Sequence, residues 1–139
     1  MTAANTQQKQ KTLFELATKA QSKAYTPYSN FKVGAAIIDD QNQHHACCNV
    51  ENASYPLGQC AEAGAISSMV VSGSQSISEI LILSPNDDYC PPCGGCRQKI
   101  AEFANEQTLV HLAKQNGEVK TVNFSELLPL AFGFEKKES

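Results

Sequence analysis

A chain of 139 residues, 42% apolar and 18% charged, has the composition of one globular domain and not of a disordered segment. At this length it buries roughly two thirds of its unfolded surface, enough for a single core. The net charge of −3 and the lack of any basic run give no electrostatic reason to expect a nucleic acid polymer; a small, weakly charged partner fits better.

The first residues, "MTAANTQQKQ", carry no apolar stretch of the secretory kind, and no apolar run approaches the length that crosses a bilayer. A cytoplasmic chain without a membrane partner is the expectation. Thiols stay reduced in that compartment, so the six cysteines suggest metal binding or catalysis more than a disulfide framework. One domain is expected over 1–139, with 1–7 and 135–139 loose.

From Gln8 to Ala24, Leu13, Leu16, Ala17, Ala20 and Ala24 recur at helical spacing, and "TPYSN" ends the helix. "FKVGAAIID" and "HHACCNV" read as two strands joined by the turn-rich "DQNQ". After "ENASYPLG" a helix runs from Cys60 to Val71, closed by Ser72-Gly73. "EILILS" has the length and apolarity of a central strand. Pro91, Pro92 and two glycines then make a turn into a helix from Cys93 to Ala104. "TLVHLA" and "EVKTVNF" are two further strands, and "SELLPLAFGF" a short helical turn cut by Pro129. The order α-β-β-α-β-α-β-β predicts an α/β protein, a five-stranded mixed sheet with helices on both faces in three α/β/α layers.

Cys93 and Cys96 form a C-x-x-C across Gly-Gly at a helix entry. This spacing suits half of a zinc site or a redox pair, although a redox motif of the thioredoxin type normally follows a first strand. Cys60 also stands at a predicted helix start, with Glu62 two residues on. Two helix N-termini on one face of a sheet bring three thiols together and favour their thiolate forms. Three protein ligands with an open fourth position is the composition of a catalytic zinc, whose water becomes a nucleophile. Glu62, as a carboxylate outside the ligand set, is placed to shuttle protons. A closed structural site that recruits Cys47, Cys48 or Cys90 as fourth ligand is the rival reading.

"CAE" followed about thirty residues later by "PCGGC" matches the zinc nucleoside-deaminase pattern. With "YTPYSNFKVGAA", "CNVENASYP" and "ELLPLAFG" in the same order, the chain from Ala20 to Gly133 resembles the small cytidine deaminases, in their three-cysteine, homotetrameric branch. The resemblance implies one Zn²⁺ per subunit, ligated by Cys60, Cys93 and Cys96. Glu62 takes a proton from the water at the open position, delivers it to N3 of the pyrimidine and later helps protonate the departing amine. It further implies that the Ala61 N–H meets the 2-oxo group, that Asn49 and Glu51 hold the ribose 3′-hydroxyl, and that Phe31 packs beside the nucleoside. Tyr55 and Phe132 complete a neighbouring subunit's pocket in a homotetramer with shared sites. The implied reaction converts cytidine, and deoxycytidine with it, to the uracil nucleoside and ammonia in pyrimidine salvage.

Read without that resemblance, Asn49 and Glu51 are turn residues, Phe31 and Phe132 core aromatics, and Glu62 an acid favoured by a helix dipole. Cys47 and Cys48, adjacent in a strand, face opposite sides. His44, His45 and His111 show no ligand spacing and read as surface or core residues, and Lys99 as part of a solvated face. A deaminase of another amino-heterocycle, a polynucleotide deaminase and a non-catalytic zinc domain are the functional rivals. The chain departs from its relatives at Ala63, where many three-cysteine members carry arginine. Three thiolates on Zn²⁺ leave a charge of −1, so another source must offset it. Arg97, beside Cys96, is one candidate, with a helix-surface or subunit-contact role as its alternative.

Overall fold

The computed structural model describes residues 3–135. Helix α1 spans Ala3–Gln21, strands β1 and β2 span Gly34–Asp39 and His44–Cys48, and α2 spans Ala61–Val71. Strand β3 (Ile77–Leu83), helix α3 (Gly94–Ala101) and strands β4 (Leu109–Ala113) and β5 (Val119–Asn123) follow. The sheet order is β2-β1-β3-β4-β5. Only β3 and β4 are parallel, joined by the α3 crossover, while the other neighbours are antiparallel.

Strand alternation divides the core. Ala36, Ile38, Leu81 and Leu83 pack under Leu13 and Ala17 of α1. Ala35, Ile37, Ile80 and Ile82 face the other way, toward Ala65 and Met69 of α2 and Ile100 of α3. The expected three-layer α/β/α fold is present, with β3 central. Two glycines permit the close approach of helix to sheet. A Cβ on Gly34 would stand 2.0 Å from the Ala17 carbonyl oxygen, and one on Gly64 would stand 2.3 Å from Cys47 Sγ.

Several element ends differ from the periodicity, for identifiable reasons. Helix α1 starts before Gln8 and stops at Gln21, whose amide donates to the Lys32 carbonyl and to Gln115. The first strand begins at Gly34 and not at Phe31, because the Phe31–Val33 backbone bonds to the Asn49 side chain instead of a ladder. The second strand ends at Cys48, since Val50 exchanges both backbone bonds with Gln59. Helix α3 ends at Ala101, and the Phe103 carbonyl accepts the Ile77 N–H. The expected turn over "SELLPLAFGF" is a single 3₁₀ turn at Phe124–Glu126, fixed by the Asn123–Glu126 capping box. The looseness expected of 1–2 and 136–139 falls outside the described residues. No helix among the described residues is long and apolar enough to cross a membrane.

Candidate active site and metal centre

Cys60 and Cys93 are the N-caps of α2 and α3, each with an extended backbone that starts its helix. The two helix N-termini meet beyond the end of β3, where free N–H groups and the helix dipoles favour negative charge. Cys96, one turn into α3, is buried, and its Sγ lies 2.7 Å from Cys60 Sγ. Glu62, in the first turn of α2, is only 4% exposed. The donor atoms of Cys60, Glu62 and Cys96 all lie within 4.8 Å of one another.

Cys93 does not join that group. Its exposed thiol accepts the Cys96 backbone N–H at 3.5 Å and lines the same cavity. Two converging sulfurs with a third at the rim, at two positive helix ends, make a donor set that suits zinc. Of the alternative thiols, Cys47 packs against Gly64 in the core, and Cys90 lines the cavity beside Cys93.

Charge is focused here. The hydrogen bond from Cys96, then that from the Ala63 N–H and the charge of Lys99, bring the Cys60 thiol down to about 6 against the opposing effect of burial. The same bond to Cys60, together with burial, pushes Cys96 up, so the pair shares one proton. Burial, reinforced by the Cys60 charge, raises Glu62 to about 7. A carboxyl so placed both takes up and gives back a proton near neutral pH, as general acid–base work requires.

A cavity of about 400 Å³ opens from these groups. Phe31, Asn49, Glu51, Tyr55, Ala61 and Glu62, six of the residues expected to serve the substrate or the chemistry, all lie on its wall. Asn49 is tied into the scaffold. Its Oδ1 accepts the Val33 N–H at 2.9 Å and its Nδ2 donates to the Phe31 carbonyl at 2.8 Å. Glu51 accepts from the backbone N–H groups of Tyr28 and Ser29, at 3.0 and 3.2 Å, and from the Ser29 hydroxyl. The Ser29 hydroxyl, first among these, holds the Glu51 carboxyl below its ordinary value against the opposing effect of burial, so it stays ionised. Tyr55 is 75% exposed and its ring lies tilted against that of Tyr28, with centroids 5.9 Å apart. Phe132, 68% exposed, packs on Phe134 and lies off the wall of its own chain's cavity.

Arg97 is engaged elsewhere: its Nε donates to the Pro92 carbonyl and its Nη1 to the Leu127 carbonyl, both at 2.8 Å. It thereby pins the proline turn and the C-terminal segment. The cation whose charge reaches Cys60 and Glu62 is Lys99, which shares a surface groove with Ala63. Lys99 is exposed, in keeping with the solvated face expected of it, and its charge is nonetheless felt at both groups. Its position one turn after Cys96 was the available signal.

An α/β/α sheet that carries thiols at two helix N-termini around a buried, proton-exchanging carboxyl defines a zinc-dependent hydrolase of the deaminase class. The chain belongs to the cytidine and deoxycytidylate deaminase family, whose zinc-binding region model matches residues 7–112. It is 38% identical over 117 residues to a cytidine deaminase of Sporosarcina psychrophila, covering 84% of this chain and 86% of the relative. A cytidine deaminase of Mycobacterium tuberculosis is 34% identical over 119 residues, with 86% of each chain covered. The crystal structure of cytidine deaminase from Burkholderia pseudomallei superposes with a TM-score of 0.84 at 38% identity, over 95% of this chain and all of that one.

Proposed function

We propose that this chain is a hydrolase that converts cytidine and deoxycytidine to uridine and deoxyuridine with release of ammonia, in pyrimidine salvage. The observation that carries the reading is Glu62: a buried carboxyl raised to about 7, within 4.8 Å of the Cys60 and Cys96 sulfurs on the wall of a nucleoside-sized cavity.

Cys60, Cys96 and Cys93 hold the zinc in this reading. When bound, zinc supplies the Lewis acidity that makes water a nucleophile near neutral pH. Glu62 accepts a proton from the attacking water, passes it to N3 of the ring, and later assists departure of the nitrogen from C4. The Ala61 N–H, at the first position of α2, is free of helix bonds and donates to the 2-oxo group. Phe31 packs beside the base. Glu51 accepts from the ribose 3′-hydroxyl, and Asn49 holds the Phe31–Val33 backbone at the distance this requires.

A nucleoside, and not a nucleotide, fits the charge of the wall. Glu51 and Glu62 contribute carboxylates, and among the described residues no lysine, arginine or histidine lines the cavity. A 5′-phosphate would meet no cationic side chain of the described residues there. The whole 1–139 chain acts as one catalytic domain in the cytoplasm, where its thiols stay reduced. The active species is a homotetramer, in which the exposed Tyr55 and Phe132 reach a neighbour's cavity.

Turnover of cytidine, deoxycytidine and deoxycytidylate by one zinc-loaded preparation tests the substrate class. Both nucleosides are consumed and the nucleotide is at least about tenfold poorer, the equivalent of one unmet charged group. Preference for the nucleotide would overturn the assignment. Sedimentation of the active species tests the assembly, and a fully active monomer would contradict the shared site.

A further inference from the structure

Ser84 follows directly on β3 and opens the loop that leads to Cys93. It is 1% exposed, and its Oγ is the buried side-chain oxygen that finds no hydrogen-bond partner among the described residues. It also lies on the wall of the cavity that holds Cys60, Glu62 and Cys96. A buried hydroxyl without a partner destabilises a fold, and alanine in its place would not. The unmet oxygen therefore points to something that enters the cavity.

Its position narrows the choice. Alternation places Ser84 on the same face as Ile80 and Ile82, the face covered by α2 and α3. Continued past the Gly34–Leu83 pair, the antiparallel register sets it beside Val33, another wall residue. The floor it shares with Val33 and Ile82 is otherwise apolar.

The rest follows from the donors and acceptors of an aminopyrimidine, and so rests on the functional reading above. The 2-oxo group is met by the Ala61 N–H, N3 by Glu62 and the sugar by Glu51. What remains is the 4-amino group, which brings two N–H donors and needs a neutral acceptor. Of the other hydroxyl or amide groups on the wall, Tyr55 is assigned to a neighbour's cavity, and both it and Gln59 are exposed.

We propose that Ser84 Oγ accepts a hydrogen bond from the 4-amino group of the substrate, making Ser84 a substrate-contacting residue that selects 4-aminopyrimidines. The nitrogen keeps N–H donors from bound substrate to free ammonia, so the same acceptor follows it through the reaction. A hydroxyl suits the task because its oxygen accepts while its proton remains free to turn.

The test compares wild type with Ser84→Ala, both zinc-loaded, using two probes: cytidine, and the pyrimidin-2-one riboside that lacks the 4-amino group. Loss of one neutral hydrogen bond lowers kcat/KM for cytidine roughly five- to tenfold. Inhibition by the riboside changes by less than about twofold, since the contact it reports is absent from both proteins. The melting temperature of the unliganded variant is not below that of wild type. Unchanged kcat/KM for cytidine overturns the contact, and so does equal weakening of both probes, which would mark Ser84 as a support of the cavity. An inert wild type withdraws the functional reading and the contact together. An active wild type with an indifferent Ser84→Ala withdraws the contact alone.

Discussion

The sulfurs of Cys60 and Cys96 lie 2.7 Å apart although the residues belong to different helices and 36 positions separate them. Burial at this junction is stable only if the pair shares a proton or a cation, and in the proposed site zinc takes that place. Zinc should therefore stabilise the fold by about 3 to 4 kcal/mol when supplied at 100 to 1,000 times its dissociation constant. Chelation lowers the melting temperature accordingly, and Cys60→Ala or Cys96→Ala abolishes the zinc-dependent shift. Cys93→Ala tests whether its exposed thiol joins the set. A variant that retains zinc as wild type does would assign the third ligand to another group.

Glu62→Gln should leave zinc content and folding intact, because the amide fills the same buried volume. Turnover should fall by roughly 10² to 10⁴, since one carboxyl serves successive proton transfers. Single-turnover kinetics with matched zinc content checks this. Retention of more than about a tenth of the wild-type kcat would remove Glu62 from the proton path.

Asn49 and Glu51 should separate by kind of loss. Asn49→Ala forfeits two bonds to the Phe31–Val33 backbone, at about 1 kcal/mol each, and so lowers both stability and kcat/KM. Glu51→Gln should reduce kcat/KM for cytidine about ten- to a hundredfold while a slow reaction on free cytosine changes little. Urea melts beside kinetics on the two substrates distinguish them. An equal loss on nucleoside and base would make Glu51 a loop support for Tyr28 and Ser29.

Asp39 ties the β1–β2 turn. Its carboxylate accepts from the Gln41 and Gln43 N–H groups at 2.8 and 3.0 Å and pairs with His45 at 2.8 Å. Burial opposes the charge, but the bonds from His45, Gln43 and Gln41 outweigh it and hold the carboxyl below its ordinary 3.8. A depressed folded value means stability that is present above the unfolded value and lost as pH falls through the folded one. Asp39→Ala should cost about 2 kcal/mol or more at neutral pH, with the gap to wild type narrowing below about pH 4. Denaturant melts at both pH values measure it. A gap independent of pH would mean that the carboxylate charge contributes nothing.

Much of this architecture was readable because its signals are local. Pro91-Pro92 and Gly94-Gly95 mark the α3 entry, Cys60 and Glu62 begin a helical pattern, and the apolar β3 run has the length of a central strand. What escaped depends on register across distant segments. Asn49 reaching Phe31, Arg97 reaching Leu127, and His111 meeting Glu79 at 2.7 Å follow only once the strands and loops are placed. Arg97 and Lys99 differ by two positions on α3, just over a half-turn, and so one clamps carbonyls while the other stands exposed in the groove beside Ala63. Charge alone could not assign those roles.

The central claim is that Glu62 and the three thiols form a zinc-dependent deamination site. The most direct measurement follows the absorbance of cytidine after addition of purified protein, with zinc and released ammonia quantified in the same sample. The account predicts loss of the cytidine band with one ammonia per cytidine consumed, about one zinc per chain, and no turnover once zinc is removed. Stoichiometric zinc without turnover of any cytosine nucleoside would contradict it.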